Sequence, residues 1–318
     1  MRRFAFIAVL LLAVMLAFMA CDDHKHVVCP GGKLMTVSVV FSWANAPEAD
    51  PAGMTLYFFP TDQRSKLWRF DIAGREGGQI ELPTGNYRML AFNNDLPGVR
   101  IDGTDSFDGI RAAAVEIAGE RVRPTGMLYG AVISGVEVTP CGVTYITEQG
   151  KQKSCPFGIM RCAPDSLSTC YKAIFRNVKG LERVRSAKVT LCGIAGTLYL
   201  ANGKSDVPEV ATSFGLEFVA GSSLSGQTTG FGLPPGDAEV SLSLSVTRVD
   251  GSSLSKKFDV TSQVLNCLTP KNVTIIIEGI EIPAGDIPPE PPDSPDIGIN
   301  VGVDGWTAIN VDISTNLP

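Results

Sequence analysis

Residues 79–92 read Gln79-Ile80-Glu81-Leu82-Pro83-Thr84-Gly85-Asn86-Tyr87-Arg88-Met89-Leu90-Ala91-Phe92, and their pattern decides the fold class. Gln79 to Leu82 alternates polar and apolar residues at a period of two, which places the apolar side chains on one face of a strand. Pro83-Thr84-Gly85 ends that run. Proline fixes φ and glycine permits positive φ, so the chain turns tightly there. Tyr87 to Phe92 leads out of the turn as the next strand. Strand, tight turn, strand is the unit from which an antiparallel sheet is built.

The same punctuation recurs on both sides of this stretch. Leu34 to Trp43 (LMTVSVVFSW) alternates through Val37, Val39, Phe41 and Trp43, with a break at Val40. A Pro-rich turn follows, then an apolar strand from Met54 to Phe59 ended by Pro60, then Leu67 to Ile72. Further strands are expected near 113–117 and 128–138. A second series is expected over Tyr171–Val178, Ala187–Leu191, Gly193–Leu200, Thr212–Val219, Ala238–Val249 and Val273–Ile277. Turn residues recur about every ten positions, as in an all-β sandwich. No stretch beyond residue 20 keeps a helical period, although a short helix over Leu181–Arg185 fits. Leu233-Pro234-Pro235-Gly236 before a strand echoes Leu82-Pro83-Thr84-Gly85. Two related sandwiches in tandem would explain the echo, and so would the commonness of such turns.

These signals predict an all-β chain. Its expected parts are a signal peptide (1–20), a tether (21–33), an N-terminal sandwich (34–140) and a Cys-rich connector (141–166). A C-terminal sandwich (167–281), a Pro-rich linker (282–296) and a C-terminal strand segment (297–318) follow. Ile282 to Pro295 holds six prolines among acidic residues, a composition that favours an extended, semi-rigid spacer. Beyond it Ile297, Ile299, Val301 and Val303 alternate with polar residues or glycine. Asp304-Gly305 is a strong hairpin turn before Trp306 to Ile313. An isolated hairpin is barely stable in water, so this one must rest on something.

The first twenty residues are a secretory signal peptide in layout. Arg2 and Arg3 precede an apolar run from Phe4 to Ala20. That run is slightly short to span a bilayer. Leu16-Ala17-Phe18-Met19-Ala20-Cys21 resembles a bacterial lipobox, which implies cleavage after Ala20 and a lipid on Cys21. A plain signal peptide is the alternative. Buried methylenes at about 0.8 kcal/mol each make acyl chains a stable anchor. Asp22 and Asp23 resemble the surface-export signal of Bacteroidetes lipoproteins, or else form a solvated tether with His24 and Lys25.

The chain has 318 residues, a net charge of −6 and 19% charged residues. No basic patch stands out, which argues against nucleic acid as a partner. The two histidines, His24 and His26, both lie in the tether. That removes Ser-His-Asp and Cys-His catalysis and histidine-based metal sites from either sandwich. Gly74-Arg75-Glu76-Gly77-Gly78 lacks the Lys-Ser/Thr of a phosphate loop. A carboxylate pair could still cleave a glycoside, but nothing singles one out. Asp102, Asp105 and Asp108 do not match a calcium loop and read as a solvated acidic loop. No cofactor is implied.

With Cys21 assigned to lipid, Cys29, Cys141, Cys155, Cys162, Cys170, Cys192 and Cys267 remain. The count is odd, which leaves the fate of Cys29 open. Disulfides among Cys141, Cys155, Cys162, Cys170, Cys192 and Cys267 are favoured over zinc, because the spacings contain no close CxxC pair. Their connectivity cannot be read.

Val39-Val40-Phe41-Ser42-Trp43, Gly53-Met54-Thr55-Leu56-Tyr57-Phe58-Phe59-Pro60, the 82–94 stretch and Val303-Asp304-Gly305-Trp306 together resemble the fimbrillin-like lipoproteins of the Bacteroidetes group. The match is to an uncharacterised branch known as a domain of unknown function. The resemblance implies two transthyretin-like or immunoglobulin-like sandwiches and a non-enzymatic fimbrial subunit, anchor, tip or adhesin on the cell surface. Other fimbrial subunits are then expected partners through strand exchange, with Ile297, Ile299, Val301, Val303 and Trp306 as donor residues. The competing expectation is that this segment folds back on its own second sandwich. A glycan- or protein-binding outer-membrane module is the alternative function. Trp306 would then be the exposed aromatic, whereas Trp43 and Trp68 sit in strand patterns.

Overall fold

The computed structural model describes residues 33–62, 66–118, 121–147, 149–219 and 221–284, together with the backbone of 307–308. The signal peptide, Ala20, Cys21, Cys29, Ile297, Ile299, Val301, Val303 and Trp306 lie outside the described residues. In chain order the strands begin with β1 (Leu34–Phe41), β2 (Gly53–Pro60), β3 (Trp68–Ala73), β4 (Gly77–Pro83) and β5 (Gly85–Asn93). Four short strands come next, β6 (Val99–Asp102), β7 (Arg111–Ala114), β8 (Glu116–Ala118) and β9 (Arg121–Val122). Then follow β10 (Tyr129–Thr139), β11 (Gly142–Ile146), β12 (Gln152–Cys155), β13 (Ile159–Cys162) and β14 (Asp165–Ser166). The last group is β15 (Thr169–Arg176), β16 (Val184–Tyr199), β17 (Ser205–Val219), β18 (Ser223–Gly230), β19 (Ser241–Arg248), β20 (Ser253–Asp259), β21 (Asn272–Glu278) and β22 (Thr307–Ala308). One short helix, α1 (Thr261–Leu265), joins β20 to β21, and Leu181–Arg183 forms a single 3-10 turn. The expected all-β class is what the chain adopts.

Two compact units result. In the first, β13-β1-β4 faces β12-β11-β10-β5-β2-β3, and β14 also pairs with β10. The 79–92 stretch supplies a strand to each sheet: β4 pairs antiparallel with β1, while β5 lies between β10 and β2. The alternation explains the packing. Val37, Val39 and Phe41 of β1 and Ile80 and Leu82 of β4 point into one core with Leu56, Phe58, Met89, Ile133 and Val138. Trp43 joins that core as the sequence predicts. Its indole donates to the Arg75 carbonyl at 2.7 Å, which satisfies the one polar atom it buries.

Residues 141–166, where the sequence reading placed a connector, carry four strands of this unit. β11 extends the sheet from β10, and β13 lies parallel to β1. Val143, Tyr145, Met160 and Cys162 supply the buried face. Residues 96–102 and 111–127 lie within the first strand series along the chain, yet they group with the second unit. There β7 pairs with β16 and β9 with β17.

In the second unit the sheet runs β21-β15-β18-β17-β16-β19-β20-β22. β17 bends from one layer to the other. Its N-terminal part pairs with β16 and its last three residues with β18. Inside lie Tyr171, Phe175, Val189, Leu191, Leu242, Leu244, Val246 and Ile275. β16 joins two segments that the sequence reading kept apart at Gly193. The ladder shifts register between Cys192 and Ile194. There Gly193 adopts φ +82°, and a Cβ would lie 2.1 Å from the Glu239 carbonyl oxygen. Glycine here makes a bulge within one long strand rather than a break between two. The two echoed turns differ: Gly236 has φ +99°, whereas Gly85 keeps a negative φ.

Candidate functional site: the β20 edge and its surroundings

The described chain leaves the second unit at a fixed place. Ile282 is fully buried. Its amide donates to the Lys179 carbonyl at 2.9 Å, and its carbonyl accepts from Arg183 Nη1 at 3.0 Å. One residue later the Pro283 carbonyl accepts from Arg248 Nη1 at 3.1 Å. Arg248 is only 3% exposed. Its Nε donates to Ser252 Oγ at 2.6 Å and lies 3.7 Å from the Asp250 carboxylate. A buried guanidinium needs such partners, because an unpaired charge out of water is costly. Hydrogen bonds from Ser252, with Arg248 beside it, hold the Asp250 carboxyl below its ordinary value.

The chain returns to the same neighbourhood. Thr307 pairs with Ser255 and Ala308 with Leu254, antiparallel, along the outer edge of β20. Exit through the Arg248–Ser252 turn and return at Leu254–Ser255 are thus a few residues apart on one hairpin. At Thr307–Ala308 the chain docks on its own second unit. The described pairing covers a two-residue strand against a seven-residue β20.

A shallow groove of about 340 Å³ lies on the outer face of the other layer, lined by Lys172, Ile174, Arg176, Asn177, Val219, Ser223 and Ser225. Lys172, Ile174 and Arg176 share a face because residues two apart on a strand do. Arg176 makes a loose, exposed ion pair with Glu278 at 3.6 Å, an arrangement worth little and easily exchanged. Two cations therefore flank an apolar floor with hydroxyls along one side. The sequence reading singled out none of these residues, nor Arg183 and Arg248. Spaced basic residues on a strand carry no signal until the pairing is known.

Three of the cysteines expected in disulfides depart from that expectation, while Cys141 does not. Cys170, Cys192 and Cys267 carry free thiols, each fixed on a different element. Burial pushes the Cys170 thiol up. Hydrogen bonding from the Thr269 main chain and hydroxyl, and from the Thr274 main chain, pulls Cys267 down. Cys141 is disulfide-bonded, and Cys155 and Cys162 pack beside Tyr145 in the first core. The acidic loop is ion-paired: Asp102 with Arg100 at 2.7 Å, and Asp108 with Arg88 at 3.2 Å. Among the described residues no group of three or more His, Cys, Asp or Glu could hold a metal ion, and no helix is long and apolar enough to cross a membrane.

No curated protein sequence matches this chain. Solved structures do share its fold. A chain from Bacteroides ovatus described as a candidate adhesin is 17% identical with a TM-score of 0.59, over 82% of this chain and 100% of that one. A Bacteroides thetaiotaomicron chain described as a candidate polysaccharide-binding protein is 13% identical with a TM-score of 0.53, over 77% of this chain and 91% of that one. A family model described as "Domain of unknown function (DUF5119)" matches residues 20–215. That stretch is more than half of the sequence and includes the 79–92 strand–turn–strand, so the chain belongs to the DUF5119 family.

Proposed function

We propose that this protein is a non-enzymatic surface lipoprotein of fimbrillin type, a structural or adhesive component anchored to the outer membrane through a lipid on Cys21. The observation that carries the reading is the β20–β22 pairing. A terminal strand whose described pairing with the β20 edge spans Thr307–Ala308 is suited to being exchanged for a neighbour's, because main-chain hydrogen bonds and alternating side chains are all that strand addition requires. The fold shared with the Bacteroides ovatus candidate adhesin supports the same reading. So does the family match, which starts at residue 20, beside the expected cleavage point.

Surface proteolysis of intact cells, followed by mass spectrometry of the N-terminal peptide, tests it. The expected result is a protease-accessible protein whose first residue is an acylated Cys21, and which Cys21→Ala leaves unlipidated. An N-terminus without fatty acid would overturn the anchor. Truncation after Pro295 tests strand exchange separately. If the truncated protein keeps the stability and assembly state of the full chain, the C-terminal strand is not a donor.

A second reading, a glycan-binding module, is favoured by the groove between Lys172 and Arg176. The polysaccharide-binding description of the Bacteroides thetaiotaomicron chain points the same way. Glycan-array binding lost in Lys172→Ala/Arg176→Ala and kept in Trp306→Ala would place the ligand in that groove.

A further inference from the structure

Among the described residues β21 is the other outer strand of the second unit, with no strand on one side of it. β21 lies parallel to β15, with Val273, Ile275 and Ile277 opposite Tyr171, Ala173 and Phe175. In a parallel ladder alternate residues turn their amide and carbonyl to the same neighbour. Asn272, Thr274 and Ile276 therefore present theirs outward. An outward row of this kind is a template for another strand.

The 261–269 segment occupies that row with side chains. Gln263 Nε2 donates to the Ile276 carbonyl at 3.0 Å, and the Ile276 amide donates to Gln263 Oε1 at 2.8 Å. The side-chain amide thus makes the paired bonds that one residue of an adjacent strand would make. Asn272 is served at the other end. Its amide donates to the Thr269 carbonyl at 2.8 Å, and its carbonyl accepts from Thr269 Oγ1 at 3.0 Å. Cys267 Sγ sits between and donates to the Asn272 carbonyl at 3.8 Å. Ile276 and Asn272 are thus satisfied at both amide and carbonyl by this segment and not by a strand.

The cover is lightly held. α1 has five residues and a single buried one, Val264. Leu265 and Leu268, on the covering segment, are 57% and 98% exposed. Displacing the segment would strip little apolar surface from the core beyond Val264.

The geometry points to β21 as a strand-accepting edge held shut by the Gln263–Thr269 segment, with β21 of a second copy of this chain as its occupant when open. The sequence Asn272-Val-Thr-Ile-Ile-Ile-Glu278 is self-complementary in an antiparallel pair centred on Ile275. In that register Thr274 faces Ile276 and Asn272 faces Glu278. These are the outward-turned residues, so both strands present their hydrogen-bonding groups at matching positions. Val273 faces Ile277, and no like charges oppose. The pair closes with two-fold symmetry, as a dimer rather than a fibre. This inference does not depend on lipidation or on the C-terminal strand.

Sedimentation velocity of the full chain, with and without Gln263→Ala, tests it. The wild-type protein keeps its mass as concentration rises, while the variant doubles its weight-average mass. Adding Thr274→Pro, which removes an outward amide that an edge strand can spare in the monomer, returns the mass to that of one chain. A folded Gln263→Ala protein with wild-type mass at every concentration overturns the inference. So does association that Thr274→Pro leaves intact. Should Gln263→Ala lose its cooperative melt, Gln263→Glu replaces it, since it keeps the length but offers the Ile276 carbonyl no donor. Hydrogen exchange of the wild type is the independent check. The Ile276 amide must exchange as slowly as ladder amides of β15, and exchange at a loop rate means that the cover does not exist.

Discussion

The two outer edges of the second unit are closed in different ways. β21 is covered from close by in sequence, by a segment that follows β20 directly and includes Gln263 of the five-residue helix α1. β20 is covered from far away, by a two-residue strand that returns after the Pro-rich stretch. The local cover needs no long loop to close and travels with its own sheet. The distant cover carries the entropy of closing the intervening stretch, a cost that grows slowly with length, against a ladder described at Thr307–Ala308. The difference separates a local guard from a distant one, and each prediction below strains one side of it.

Arg248→Met should have the largest effect. It removes hydrogen bonds from a buried charged group to Ser252 and Pro283, and bonds of that kind contribute about 1.5–3 kcal/mol. Denaturant unfolding should show a loss of about 2–3 kcal/mol. The change should also raise exchange at the Ile282 amide, because the exit clamp is opened. Gln263→Ala comes next. Two neutral bonds to main chain are lost, which predicts about 1–2 kcal/mol by the same measurement. Thr307→Pro should be the mildest of the three. It removes a main-chain donor from the terminal strand, and a change under about 1 kcal/mol is expected. The Ser255 amide of β20, which faces Thr307, should nonetheless exchange faster while β21 is unchanged.

Acid should also tell the edges apart. Hydrogen bonds from the Thr261 hydroxyl and amide hold the Asp259 carboxyl below the ordinary aspartate value. Thr261 in turn binds the Val240 main chain at 2.9 Å, so Asp259 orders the start of the β21 cover. A carboxyl depressed in the folded state adds stability above its unfolded value and loses it as pH falls through the folded one. Below pH 3.8 exchange at Ile276 should therefore rise. Asp259→Asn should remove that pH dependence while leaving the β20 amides as they were.

Much of the sheet framework was legible because burial and alternation coincide. β1, β2, β4 and β5 were visible because Val37, Val39, Leu56, Phe58, Ile80 and Leu82 are both regularly spaced and buried. β18 and β20 were not read. Ser223–Gly230 and Ser253–Asp259 bury little more than Leu224 and Leu254 among serines, threonines and lysines, so no hydrophobic period marks them. β11 to β14 hid among Gly, Pro and Lys for the same reason. The assignment of β6 to β9 to the second unit depends on pairing between residues far apart in sequence, which local pattern does not encode. The candidate site was legible only where the chain changes character, at Ile282 and the prolines after it. Gln263 gave no signal. One glutamine in a short polar segment becomes a strand surrogate only once Ile276 is aligned beside it.

The most direct test of the account is native-state hydrogen exchange at both edges, comparing the full chain with a truncation after Pro295. Truncation is expected to deprotect the Ser255 amide of β20, which faces Thr307, and to leave Ile276 as slow as before. Equal protection of Ser255 in both proteins, or deprotection of Ile276 by the same truncation, would contradict the account.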